Sequence, residues 1–200
     1  MSKDNFNIKI IGKRDCTDLL MKYHYLSKIQ RGFKSGVNYG LFQGDMLCGV
    51  CIYTGLPVKE LLKGMLGKGM DSNQKGYYEL SRLVLDPSVQ ATEHNIASWF
   101  VARTIKHLRK AEDVKVILSY ADSGFHQGKV YQALGFKYYG LSTKKKDFWY
   151  LLEDGTYLKH SRGPTKIYEG EWRDRTRKHR YLKVFDKNID IKWEEQNFPT

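Results

Sequence analysis

The sequence predicts an α/β protein of the α+β class, a mixed central sheet flanked by helices, on three observations. Apolar runs of strand length alternate with helical stretches along the first 150 residues. Turn and stop signals (the Gly44-Asp45 pair, Pro87, Gly135) separate them. At 200 residues and 41% hydrophobic, the chain can bury one proper core.

The elements follow in order. IKII at 8–11 reads as a strand, and a helix runs from about Asp15 to Tyr23. VNYGLFQ and MLCGVCIYT then form a hairpin. Residues 55–76 turn irregular around the amphipathic piece VKELLKGMLGKGM and read as an insertion able to order over a site. YYELSRLVLDP is a strand ended by Pro87, followed by a polar loop. A long helix from about Glu93 to Lys110 sets Ile96, Phe100, Ile105 and Leu108 close to one face. VKVILSYAD is a buried-type strand, GKVYQALGF a short helix closed by Gly135, and FKYYGLS and DFWYLL two further strands. This is the element order of a GNAT-like acyltransferase fold. It sets ELSRL and SYAD side by side at the ends of two central strands, where open α/β sheets hold ligands. The expected division is a catalytic domain over 1–155 and a basic, aromatic C-terminal extension over 156–200, packed on that domain or continuing it.

A formal charge of +12 exceeds what solubility asks of a small domain and points to an anionic partner, whether nucleic acid, acidic lipid or a phosphorylated cofactor. Half of the excess lies between Lys159 and Lys187, where ten Lys or Arg stand against four acids. Tyr168, Trp172 and Tyr181 are interleaved with Arg173, Arg175, Arg177, Lys178 and Arg180. That pattern suits phosphate contacts with base stacking, or equally an amphipathic tail whose aromatics pack on the core. No apolar run reaches eighteen residues and the opening MSKDNFNIKIIGKRD is polar, so a soluble cytoplasmic protein with no membrane partner is expected. Three cysteines argue against a disulfide framework. Cys48 and Cys51 have zinc half-site spacing, but they lie inside an apolar strand with no second pair at ligand spacing.

Acyl transfer to an amine needs a proton path near the nucleophile, donors for a developing oxyanion, and exclusion of water. Four stretches offer such groups. In Y-H-Y at 23–25, His24 is a base, a metal ligand or a half-buried capping histidine. In YYELSRL, strand alternation puts Glu79 and Ser81 on one face and Arg82 on the other. A buried arginine is costly unless paired, so Asp86 or Asp122 is its expected partner. SYADSGFHQGKVY brings Ser119, Tyr120, Asp122, His126 and Tyr131 together; the alternative there is a helix capped by Asp122 with His126 in its first turn. The fourth stretch, SVQATEHN, stands where acyl-CoA enzymes carry R/Q-x-x-G-x-G/A, whose small residues let backbone N–H groups reach the pyrophosphate. Gln90 is followed by no glycine, which argues against ordinary acyl-CoA binding.

YHYLSK at 23–28, ELSRLVLDPS at 79–88, and SYAD followed by H-x-G-x-x-Y-x-A-x-x-F from His126 to Phe136 resemble the Mom DNA-modification family typified by phage Mu. The resemblance runs from about Tyr23 to Tyr150. It implies a GNAT-like fold, double-stranded DNA as partner in the cytoplasm of an infected host cell, and addition of a methylcarbamoyl group to N6 of adenine as protection from restriction. It places functional roles on His24, Tyr25, Arg82, Asp122 and Tyr131, with Ser119 and His126 as further positions. It also implies bound iron, to which His24 and Asp122 would contribute. The group donor stays unnamed, and the glycine-poor loop fits a donor other than acyl-CoA. Two other readings compete: a CoA-dependent N-acetyltransferase acting on a protein or small amine, and a non-catalytic DNA-binding anti-restriction protein that keeps the fold.

Overall fold

The computed structural model describes residues 3–25, 33–67, 73–160 and 165–199. In chain order the elements are β1 (Phe6–Ile10), α1 (Lys13–Tyr23), β2 (Val37–Gln43), β3 (Met46–Gly55), α2 (Lys59–Leu66), β4 (Tyr77–Leu85), α3 (Pro87–Thr92) and α4 (Ile96–Ala111). They continue with β5 (Val116–Asp122), α5 (Lys129–Ala133), β6 (Lys137–Leu141), β7 (Lys145–Leu151), β8 (Tyr157–Lys159), β9 (Gly170–Arg175) and β10 (Lys178–Val184). A mixed seven-stranded sheet has the order β1-β2-β3-β4-β5-β10-β6, and a smaller sheet the order β8-β7-β9. In the large sheet β4 and β5 run parallel, joined by the α3–α4 crossover, and the other pairings are antiparallel.

Strand alternation sends successive side chains to different cores. From β3, Cys51 and Tyr53 face the side covered by α4, where they meet Phe100, Ile105 and Leu108; Val50 and Ile52 face α1 and its Cys16, Leu19 and Leu20. From β5, Ile117 and Ala121 go to the α4 side, while Val116 and Leu118 meet Leu62, Met65 and Leu66 of α2. Each large side chain buried in this way contributes about 1.5–3 kcal/mol. The predicted apolar face of the long helix, Ile96, Phe100, Ile105 and Leu108, is the face that packs.

Three local expectations change. Residues 88–95 are not a loop throughout: Asp86 caps α3 by accepting from the Ser88 N–H at 2.9 Å, with Pro87 in the first turn, so Asp-Pro-Ser ends a strand and starts a helix at once. The amphipathic piece of 55–76 is α2, packed into the core; residues 68–72 lie outside the described residues. DFWYLL, counted among the strands of the GNAT-like order, is β7 of the small sheet, and the place between β5 and β6 is taken by β10. A central strand needs buried apolar side chains on both faces at its middle. Adjacent Tyr181 and Leu182 of β10 supply them, at 1% and 0% exposure, whereas Phe148 is the one side chain that β7 buries. Tyr181 is therefore core, while Tyr168 and Trp172 are exposed.

Candidate active site at the splayed strands

The β4–β5 ladder runs from Tyr77↔Val116 to Leu80↔Ser119 and stops there, although β4 continues to Leu85 and β5 to Asp122. On its other edge β5 pairs with β10 along its whole length, Asp122 standing opposite Lys178. The two parallel strands thus part at the segments ELSRL and SYAD. On β4 a bulge accompanies the parting: Leu80 opposes Tyr53 and Arg82 opposes Ile52, which leaves Ser81 as the extra residue.

The bulge overturns the expected placement of Arg82. The extra residue shifts the alternation by one, so Leu80, Leu83 and Leu85 all join the α4-side core, and Arg82 falls on the other face with Glu79. Burial lowers the Arg82 guanidinium pKa, and the charge of Glu79 opposes that shift. Arg82 Nη1 also donates to the Ser81 carbonyl at 2.6 Å. Its two expected acids are engaged elsewhere. Asp86 caps α3 and accepts from Tyr23 Oη at 3.0 Å, which ties the first family-like block to the second. Asp122 pairs with Lys178 at 3.4 Å.

Asp122 closes the turn after β5. Its carboxylate accepts from the Gly124 N–H at 3.1 Å and from the Thr176 hydroxyl, and its carbonyl accepts from the N–H groups of Phe125 and His126. It does not cap α5, whose N-cap is Gly128, and His126 precedes that helix. Burial acts to raise the Asp122 pKa, but the hydrogen bonds and the Lys178 charge together hold it below its ordinary value. Burial lowers Lys178 against the pull of Asp122. Burial raises the Glu79 carboxyl, with Arg82, Lys178 and Lys34 acting against it.

The C-terminal end of α1 supplies the remaining groups. His24 is its C-cap, its N–H bonded to the Leu20 carbonyl at 2.9 Å. Burial, then the charges of Arg82, Lys178 and His126, bring the imidazole down to about 4, so it is neutral at physiological pH. Tyr25 stacks on His24 at 4.8 Å and on Phe125 at 4.4 Å, with His126 edge-on at 6.5 Å. Burial and then Asp122 push its phenol up to about 12, so it stays protonated.

Of the residues singled out in the sequence, the structure gathers His24, Tyr25, Arg82, Asp122, His126 and Lys178. Ser119 and Tyr131 lie on the α4 side. Ser119 Oγ donates to the Leu80 carbonyl at 3.0 Å, and Tyr131 is in hydrogen-bonding reach of Ser119, its phenol raised by burial. Tyr131 packs on Tyr181 over Gly128, where a Cβ would stand 2.8 Å from Tyr181 and 2.9 Å from Tyr131; that close approach accounts for the glycine of the H-x-G-x-x-Y motif. Arg177 donates to the Ser142 carbonyl at 2.6 Å, and Arg180 donates to the Tyr139 carbonyl at 2.6 Å while lying over Trp193. Arg175 stands 3.8 Å from Asp147, and its charge reaches Tyr25 and Tyr120. Arg173 pairs with Glu171 and lies over Tyr157.

The donor set does not fit the iron expected at His24 and Asp122. Among the described residues no three or more His, Cys, Asp or Glu side chains are grouped to hold a metal ion. The charges acting on His24 include Arg82 and Lys178, and Lys178 already engages Asp122, an arrangement that repels a cation. Cys48 and Cys51 are buried in β3 with their thiols pushed up to about 11 and 12, chiefly by burial. Sequence reasoning gave Glu79, Lys178 and Phe125 too little weight. A carboxylate and a cation within strands of the same sheet were the available signal for the first two.

A sheet in this order, with parallel strands that part over a polar face, is the GNAT acetyltransferase fold. Solved structures agree. A Bacillus subtilis acetyltransferase in complex with CoA superposes with TM-score 0.51 at 15% identity, covering 90% of this chain and 98% of its own. A GNAT family acetyltransferase from Elizabethkingia anophelis with acetyl-CoA bound gives 0.50 at 15%, covering 92% and 100%. The ribosomal-protein-S5-alanine acetyltransferase of Vibrio fischeri gives 0.54 at 13%, covering 94% and 97%. Within that class the chain belongs to the Mom protein family, whose model matches residues 5–200. The match takes in the basic C-terminal stretch as well as the three motif blocks. A search of the curated proteins finds no match. Among the described residues no helix is long and apolar enough to cross a membrane.

Proposed function

We propose that this protein transfers a methylcarbamoyl group to N6 of adenine in double-stranded phage DNA and so shields that DNA from host restriction. The observation that carries the reading is family membership over residues 5–200, with His24, Tyr25, Arg82 and Asp122 sharing one face where β4 and β5 part.

The N6 lone pair is delocalised into the ring and the base sits inside the duplex, so the adenine must be extruded before it reacts. N6 then attacks the carbonyl carbon of the donor. The N6–carbon bond forms, the bond to the leaving group breaks, and one N6 proton passes to a base. In this reading His24, neutral down to pH about 4, takes it. Arg82 and Lys178 present positive charge to the developing oxyanion, and ionised Asp122 holds Lys178. Exposed Arg175 and the neighbouring cations of the small sheet supply phosphate contacts.

Mass spectrometry of nucleosides from the DNA of expressing cells tests the reading. A heavier deoxyadenosine is expected with the intact protein and not with Asp122→Asn; unmodified DNA from cells holding soluble, folded intact protein would overturn it. A second reading, a CoA-dependent N-acetyltransferase, draws on the CoA and acetyl-CoA held by two of the structural neighbours. Against it, 87–92 forms α3 and offers no glycine-rich turn ahead of α4. Micromolar acetyl-CoA binding by calorimetry would favour this second reading.

A further inference from the structure

The three-ring stack at the mouth of the site bears on where an extruded base rests. Tyr25 is parallel within 30° to both His24 and Phe125, at 4.8 and 4.4 Å. Tyr131 is 4% exposed on the far side of the sheet. Tyr131 is therefore closed to a base, and Tyr25 is already engaged with two rings. Phe125 ends the stack, 62% exposed. Its backbone is pinned, the N–H donating to the Asp122 carbonyl at 2.9 Å, and its ring is backed by Tyr25. A solvent-facing aromatic backed by a second ring beside the Asp122–Lys178 pair has the form of a stacking platform.

We infer that Phe125 is the platform on which the extruded adenine stacks, its outer face carrying the purine ring while His24 and Arg82 address N6 and the donor. The inference rests on the adenine reading and adds the residue that positions the base. Stacking needs a π face, so substitutions separate it from plain packing. Phe125→Ala should lower modification of cellular DNA about 10- to 100-fold, with its thermal melt close to that of the unmodified sequence. Phe125→Leu should not restore modification, and Phe125→Trp should.

Emission of the tryptophan in Phe125→Trp, taken as the difference from the parent protein, should be quenched by single-stranded oligodeoxyadenylate. Parent-level modification by Phe125→Leu, or an unquenched Phe125→Trp, overturns the platform and leaves the proposed function standing. Quenching of Phe125→Trp with no DNA modification by the parent protein overturns the function and keeps a base-stacking site.

Discussion

The seven-stranded and three-stranded sheets of this protein are held together by different forces. In the large sheet adjacent residues of one strand enter opposite cores, as Tyr181 and Leu182 of β10 do. In the small sheet Phe148 is buried beside exposed Trp172, and one face is tied by charge: Asp147 meets Lys159 at 2.6 Å and Arg175 at 3.8 Å, while Arg173 lies over Tyr157 at 4.4 Å. Apolar burial concentrates stability in the large sheet. The small sheet reaches the site instead, because β9 leads through Arg175 and Thr176 directly to the partners of Asp122 and Tyr25.

The sharpest way to break that comparison is in β10. Tyr181→Ala removes a ring packed on Tyr131 and Tyr138, and urea unfolding should show about 3–5 kcal/mol lost. A loss below 1 kcal/mol would mean the C-terminal strand is not part of the core. Next in size is Asp122→Asn, which keeps the turn but removes the charge facing Lys178; modified deoxyadenosine should fall about 100- to 1000-fold with little change in melting temperature.

Acid should act on the site side of the large sheet. In the folded protein His24 binds its proton only near pH 4, whereas in the unfolded chain it does so near its ordinary value of 6.5. Between those values the unfolded chain holds the extra proton, so stability falls as pH falls from about 6.5 to about 4 and the contribution levels off below. Melting curves across that range should show a shallower slope for His24→Gln than for the parent protein.

Smaller effects are expected in the small sheet. Asp147→Asn loosens Lys159 and Arg175 and should cost about 1 kcal/mol, read by chemical denaturation. Trp172→Ala, at an exposed position, should change stability by less than about 0.5 kcal/mol; a loss above 2 kcal/mol would show that this face is covered in solution.

How much of this was legible in the sequence depended on whether the signal was local. Strand and helix periodicity gave the fold class, the packed face of α4 and the strand character of ELSRL and SYAD, since each depends on spacing within one element. The family-like blocks pointed to His24, Tyr25, Arg82, Asp122 and Tyr131, with Ser119 and His126 beside them; the structure gathers the others but sets Tyr131 and Ser119 on the α4 side. Three decisions needed the tertiary structure. One extra residue at Ser81 reversed the side on which Arg82 lies, because a bulge is defined only against its partner strand. The basic, aromatic stretch 178–184 became a central strand because β5 and β6 left a gap whose two faces its alternating side chains could fill. Lys178 met Asp122 across 56 residues of chain through register alone, a non-local pairing that no pattern of neighbouring residues encodes.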